Sequence, residues 1–102
     1  MTKQMIEITF GNAMTQARQL DECAETMERL ANGNLTQIRE GISSGWEGTA
    51  AQQYMQKMDM TAENMRKTAD KLRKIADTLR RVARIFRESE LRVLEIASQR
   101  TY

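Results

Sequence analysis

At 102 residues and a net charge of +2, the chain is long enough for one small domain and too short to bury a large core unless a partner covers more of it. No proline, five glycines and five aromatics leave little turn chemistry for a sheet and favour a few long helices, so the fold class is all-α. Without histidine and with Cys23 as the one cysteine, an intrachain disulfide and a Cys/His zinc site are excluded; no metal or other cofactor is expected.

Taken in order, residues 1–10 hold no apolar run long enough for a signal-peptide core, and nowhere does an apolar stretch approach membrane-spanning length. A soluble protein, not exported by a cleaved signal, is the expectation. Ile6, Ile8 and Phe10 alternate with Glu7 and Thr9, a strand-like period too short to stand alone, so residues 1–9 read as an extended lead-in. Thr9 or Asn12 is the candidate N-cap of a first helix over about 10–42. Its apolar seam runs Ala13, Ala17, Leu20, Ala24, Met27, Ala31, Leu35, Ile38, Ile42, the steps of three and four that put one stripe on one helix. Asn32-Gly33-Asn34 is a turn signal within it, and a break there would give three helices. The seam resumes in phase at Leu35 after one extra four-residue step, which favours a continuous helix with a local stutter or kink. Cys23 flanks the seam and reads as a small, partly buried apolar residue.

Ser43 to Gly48 form the turn, with Gly45 and Gly48 easing a chain reversal and Thr49-x-x-Gln52 able to cap the second helix; Ser44-x-x-Glu47 offers an equivalent start. That helix, about 49–97, carries a heptad seam. One position reads Ala51, Met58, Met65, Leu72, Leu79, Phe86, Val93, and the other Met55, Ala62, Ala69, Ala76, Ala83, Glu90, Ala97. Alanine lets backbones approach, and Ile75 and Val82 widen the stripe so that a second hairpin can cover it. Leu20, Met27, Ile38, Met58, Met65, Leu72 and Leu79 are the expected bundle core. Glu90 breaks the seam, and since the first helix is the shorter, residues beyond the mid-eighties should overhang; 98–102 should fray. The whole chain reads as a single helical-hairpin domain.

Residues 1–50 hold four basic and seven acidic groups, net −3, and residues 51–102 twelve and seven, net +5. Arg66, Lys67, Lys71, Arg73, Lys74, Arg80, Arg81 and Arg84 invite a nucleic-acid reading. Against it, Glu63/Lys67, Asp70/Lys74, Asp77/Arg81 and Glu88/Arg92 are acid-then-base pairs four apart, as on a solvated helix face, and no aromatics interleave to stack bases. The methionines on the seam read as core filler. No nucleophile, base and phosphate loop come together, so an enzyme is not expected. Trp46 has no seam reason to sit in a turn: it is either a plug closing the bundle or an exposed recognition residue.

Trp46-Glu47-Gly48 at the turn of a chain near a hundred residues long resembles the WXG family of type VII (ESX-type, ESAT-like) secretion substrates. The resemblance implies an antiparallel helical hairpin with that motif at the turn, which dimerises with itself or a related chain into a four-helix bundle. It also implies a protein that is cytoplasmic before export and then secreted by the type VII machinery, as a substrate or as escort of a larger one. A second family motif, Tyr-x-x-x-Asp/Glu, is met by Phe86-Arg87-Glu88-Ser89-Glu90, with phenylalanine for tyrosine and the acid kept. Trp46, Gly48, Phe86 and Glu90 are thereby the expected export-recognition residues. Trp46 and Phe86 are about 60 Å apart along one helix at 1.5 Å per residue, so a composite signal requires an antiparallel partner. The alternative function is a basic coiled-coil module binding nucleic acid through the Arg66–Arg84 face.

Overall fold

The structure, a computed structural model, describes residues 1–100. Within them the chain is helical and has no strand: α1 spans Lys3–Arg29, a π-helical turn Leu30–Asn34, α2 Leu35–Gly45 and α3 Thr49–Gln99. The lead-in expected at residues 1–9 is therefore helix from Lys3. Thr2 provides the cap, its hydroxyl oxygen accepting the Met5 N–H at 3.1 Å, in place of Thr9 or Asn12. The physical reason lies in the spacing: Ile6, Phe10, Ala13 and Ala17 extend the helical seam by steps of four, three and four, and a lone strand would have no neighbour to pair with.

The turn signal Asn32-Gly33-Asn34 does not break the chain. Arg29, Asn34 and Leu35 keep helical angles, and the Leu35 N–H donates to the Leu30 carbonyl five residues back. The Thr36 hydroxyl likewise donates to the Ala31 carbonyl at 3.4 Å. A π turn takes up one extra residue, which is what the doubled four-residue step Met27, Ala31, Leu35 needs for the seam to resume. Downstream of it the inward phase falls on Leu35, Arg39 and Ile42, all partly buried, and Ile38 is more than half exposed.

Two compact units make up the chain. The turn unit is Asp21–Arg73; the terminal unit joins Met1–Leu20 to the described residues from Lys74 onward. In the turn unit Glu28 pairs with Arg73, the Arg66 Nε donates to Asn32 Oδ1 at 2.8 Å, and Arg39 meets Asp59 at 2.8 Å. One number rises as the other falls, so the two arms run antiparallel. In the terminal unit Arg87 Nε lies 2.8 Å from a Glu7 oxygen, and its guanidinium stands 5.6 Å from the centre of the Phe10 ring.

Among the described residues the buried apolar set is Ile6 and eight alanines: Ala17, Ala24 and Ala31 on the first arm, and Ala51, Ala62, Ala69, Ala76 and Ala83 on the second. Alanine permits close helix approach, and it pushes larger neighbours to the flank. Leu20, Met27, Met58, Met65, Leu72 and Leu79 are accordingly only partly buried within the chain. Each buried methyl contributes about 0.8 kcal/mol, so a core of alanines is thin and most of the apolar mass remains half-covered. Cys23, expected partly buried, is exposed, because it lies outside the line from Leu20 through Ala24 to Met27.

Candidate recognition surface

α2 ends in the turn unit when the Trp46 N–H donates to the Ile42 carbonyl at 2.8 Å and the Trp46 backbone turns extended, φ −117° and ψ 141°. Gly48 follows at φ 95°, a left-handed conformation that a Cβ would strain. Its carbonyl accepts the Gln52 N–H at 3.2 Å and so opens α3. Thr49 is thus the first helical residue rather than the cap. Ser44 lies inside α2, donating to the Gly41 carbonyl, so the alternative start is not used. The turn expected over 43–48 narrows to Trp46–Gly48, since Ser43, Ser44 and Gly45 remain helical.

Trp46 is 55% exposed. Its indole stands edge-to-face with the Tyr54 ring, centroids 5.8 Å apart and planes at 86°. Tyr54 is also more than half exposed, so the pair forms an aromatic ledge on the surface of the turn unit. Sequence reasoning passed over Tyr54, although a signal existed: it shares a heptad column with Thr61, Thr68, Ile75 and Val82, on the flank of the buried alanines.

Phe86 and Glu90 lie in the terminal unit, both partly buried. The Glu7–Arg87 pair sets the register there, and one more turn of α1 carries the first arm opposite residue 91 or so. The pairing of the arms therefore runs on past Glu90, beyond the mid-eighties limit, because α1 starts seven residues earlier than about residue 10.

The basic residues of α3 divide into two sets. Arg66, Arg73, Arg80 and Arg87 recur every seven residues; Arg66, Arg73 and Arg87 reach the first arm, and Arg80 meets Asp77 at 3.2 Å. The hydrogen bond from Arg73 holds the Glu28 carboxyl below its ordinary value against a smaller opposing desolvation, and Arg73 is raised in turn. Of the four acid-then-base pairs, Glu63–Lys67 forms, at 3.9 Å. Among the described residues Lys74, Arg81 and Arg92 make no ion pair, Asp77 having turned to Arg80 instead.

Beside the alanine column of the terminal unit runs an uncovered apolar stripe. Ile75 is 53% and Val82 54% exposed, and with Lys74, Thr78 and Leu79 they line a shallow concavity of about 410 Å³. Val93 is 59% exposed along the same face. Among the described residues no group of His, Cys, Asp and Glu is placed to hold a metal ion, and no helix is long and apolar enough to cross a membrane.

The profile of the WXG100 family, proteins of 100 residues with WXG, matches residues 5–90. The chain belongs to this family. It is a small protein associated with type VII secretion, ESAT-6-like, in a family of secretion substrates rather than enzymes. Its all-helical architecture fits the helical hairpin of WXG100 proteins. No curated protein and no solved structure matches it.

Proposed function

We propose that this WXG100 chain is a non-enzymatic interaction protein, exported by the type VII machinery as a substrate or as the small escort of a larger one. It acts as a dimer of helical hairpins, with itself or with a related chain, and waits in the cytoplasm until it is exported. Trp46 carries the reading: a large aromatic, more than half exposed, on a three-residue connection where it fills no part of the alanine core. That exposure favours the recognition role over the plug. In an antiparallel pair, Trp46 and Gly48 of one hairpin stand beside Phe86 and Glu90 of the other, and the two halves make one export signal. Further support comes from the stripe on Ile75, Val82 and Val93, whose steps of seven and eleven suit a second helix.

Secretion of Trp46→Ala and Glu90→Ala, with light scattering and circular dichroism on the purified variants, tests the reading. The expected result is lost export with dimer and helix content retained. Melting of the dimer by Trp46→Ala, with export of the surviving fraction intact, makes Trp46 a structural plug and ends the composite-signal idea. One observation favours the nucleic-acid reading enough to test it: Lys74, Arg81 and Arg92 lack the acidic partners that their spacing offered. Micromolar binding to duplex DNA that survives physiological salt would establish it.

A further inference from the structure

Trp46 sits where nothing else fixes a side chain. It follows α2 with extended backbone, it precedes a glycine at φ 95°, and a Cβ built on Gly45 or Gly48 would meet no atom within 4 Å. Two χ angles and open space on each side leave an indole free to sample several rotamers, and an unfixed ring binds with an entropic penalty. The ring contact at Trp46 is Tyr54, at 5.8 Å and nearly perpendicular, the geometry that aromatic quadrupoles prefer. Tyr54 is itself anchored, since it stands six residues into α3, where the backbone is rigid, and it points from the column that continues as Thr61 and Thr68. No hydrogen bond involves its hydroxyl among the contacts of the described residues, so the contact with Trp46 is one between rings.

We propose that Tyr54 is a positioning residue for export recognition: its ring braces the Trp46 indole in one orientation, and the two rings together form the surface read by the secretion partner. This rests on Trp46 being a recognition residue, and adds a residue outside both secretion motifs. An edge-to-face pair of this kind shifts a rotamer equilibrium by roughly two- to tenfold, which is the scale on which export should respond.

The test compares Tyr54→Ala, Tyr54→Phe and Trp46→Ala in the full chain. Three measurements are made on each: near-ultraviolet circular dichroism of the single tryptophan, far-ultraviolet circular dichroism with light scattering, and secreted yield. Tyr54→Ala should collapse the near-ultraviolet tryptophan signal and cut export roughly two- to tenfold, with helix content and assembly unchanged. Tyr54→Phe, which keeps the ring and loses the hydroxyl, should restore both. An unchanged tryptophan spectrum in Tyr54→Ala overturns the brace. So does full export by Tyr54→Ala when Trp46→Ala is blocked, and so does a Tyr54→Phe as defective as Tyr54→Ala, which would assign the role to the hydroxyl. Full export by Trp46→Ala instead overturns the recognition reading beneath it, so the two failures are distinguishable.

Discussion

The two halves of α3 carry the same buried column, Ala62 and Ala69 in the turn unit and Ala76 and Ala83 in the terminal unit, yet they differ in the column beside it. In the first half that column reads Thr61 and Thr68, whose hydroxyls each donate to a carbonyl four residues back, of Lys57 and Asn64, at 2.9 Å. In the second half the same heptad position reads Ile75 and Val82, more than half exposed. A threonine satisfied by its own helix is at ease in water; a β-branched aliphatic in the same place leaves apolar surface uncovered. One heptad repeat can thus specify packing within the chain along its full length while leaving apolar surface uncovered along part of it.

The shared column should be the most sensitive. Ala69→Asp and Ala76→Asp each put a charge into a site with no exposed surface, and each should cost several kcal/mol and unfold its unit, read by thermal circular dichroism. Equal losses in the two halves would confirm that the column is one device; a tolerated change in either would break the comparison. The differing column should separate stability from association. Ile75→Ser combined with Val82→Ser should leave helix content intact but weaken the proposed dimer, because covering two half-exposed side chains on a partner contributes about 1.5–3 kcal/mol. Thr61→Val with Thr68→Val extends the stripe and should tighten association, both by light scattering over a dilution series.

A smaller effect is expected at the connection. Gly48→Ala forces a Cβ into φ 95° and should lower stability by about 1–2 kcal/mol, visible as a reduced melting temperature with unchanged helix content. Smallest is the ion pair specific to the turn unit. The Glu28 carboxyl is held below its ordinary 4.5 by the hydrogen bond from Arg73, so its contribution is full above that value and is lost as pH falls through the lower, folded one. Glu28→Gln should flatten this acid limb by slightly lowering the melting temperature at neutral pH while matching the parent at low pH, a small difference because the group is solvent-screened.

Leu72→Asp shows how the structure changes an expectation. On the seam it looked like a core position, yet Leu72 is only partly buried within the chain, on the flank of Ala69 and Ala76. A carboxylate there can reach water, so its damage should fall on association more than on the hairpin itself. The same distinction applies to Met58, Met65 and Leu79, which the period places near the core without saying which of its columns faces the other arm.

What the sequence by itself determined is what a single helix carries. Steps of three and four identify the helices and their apolar faces, the doubled four-residue step marks a local stutter or kink that the structure resolves as a π turn, the scarcity of turn residues excludes a sheet, and Trp46-Glu47-Gly48 marks the family and the connection. These are local properties, repeated every turn, and they survive without knowledge of a neighbour. Tertiary structure decided the rest. It extended α1 back to Lys3, because Ile6 had a place to be buried that no strand could offer. It sorted the alanines inward and the leucines and methionines to the flank, because close approach of two helices selects the smallest side chain. It turned Arg66, Arg73 and Arg87 across to the first arm, and it set Tyr54 against Trp46, contacts between residues whose separation in the chain says nothing about their distance in space.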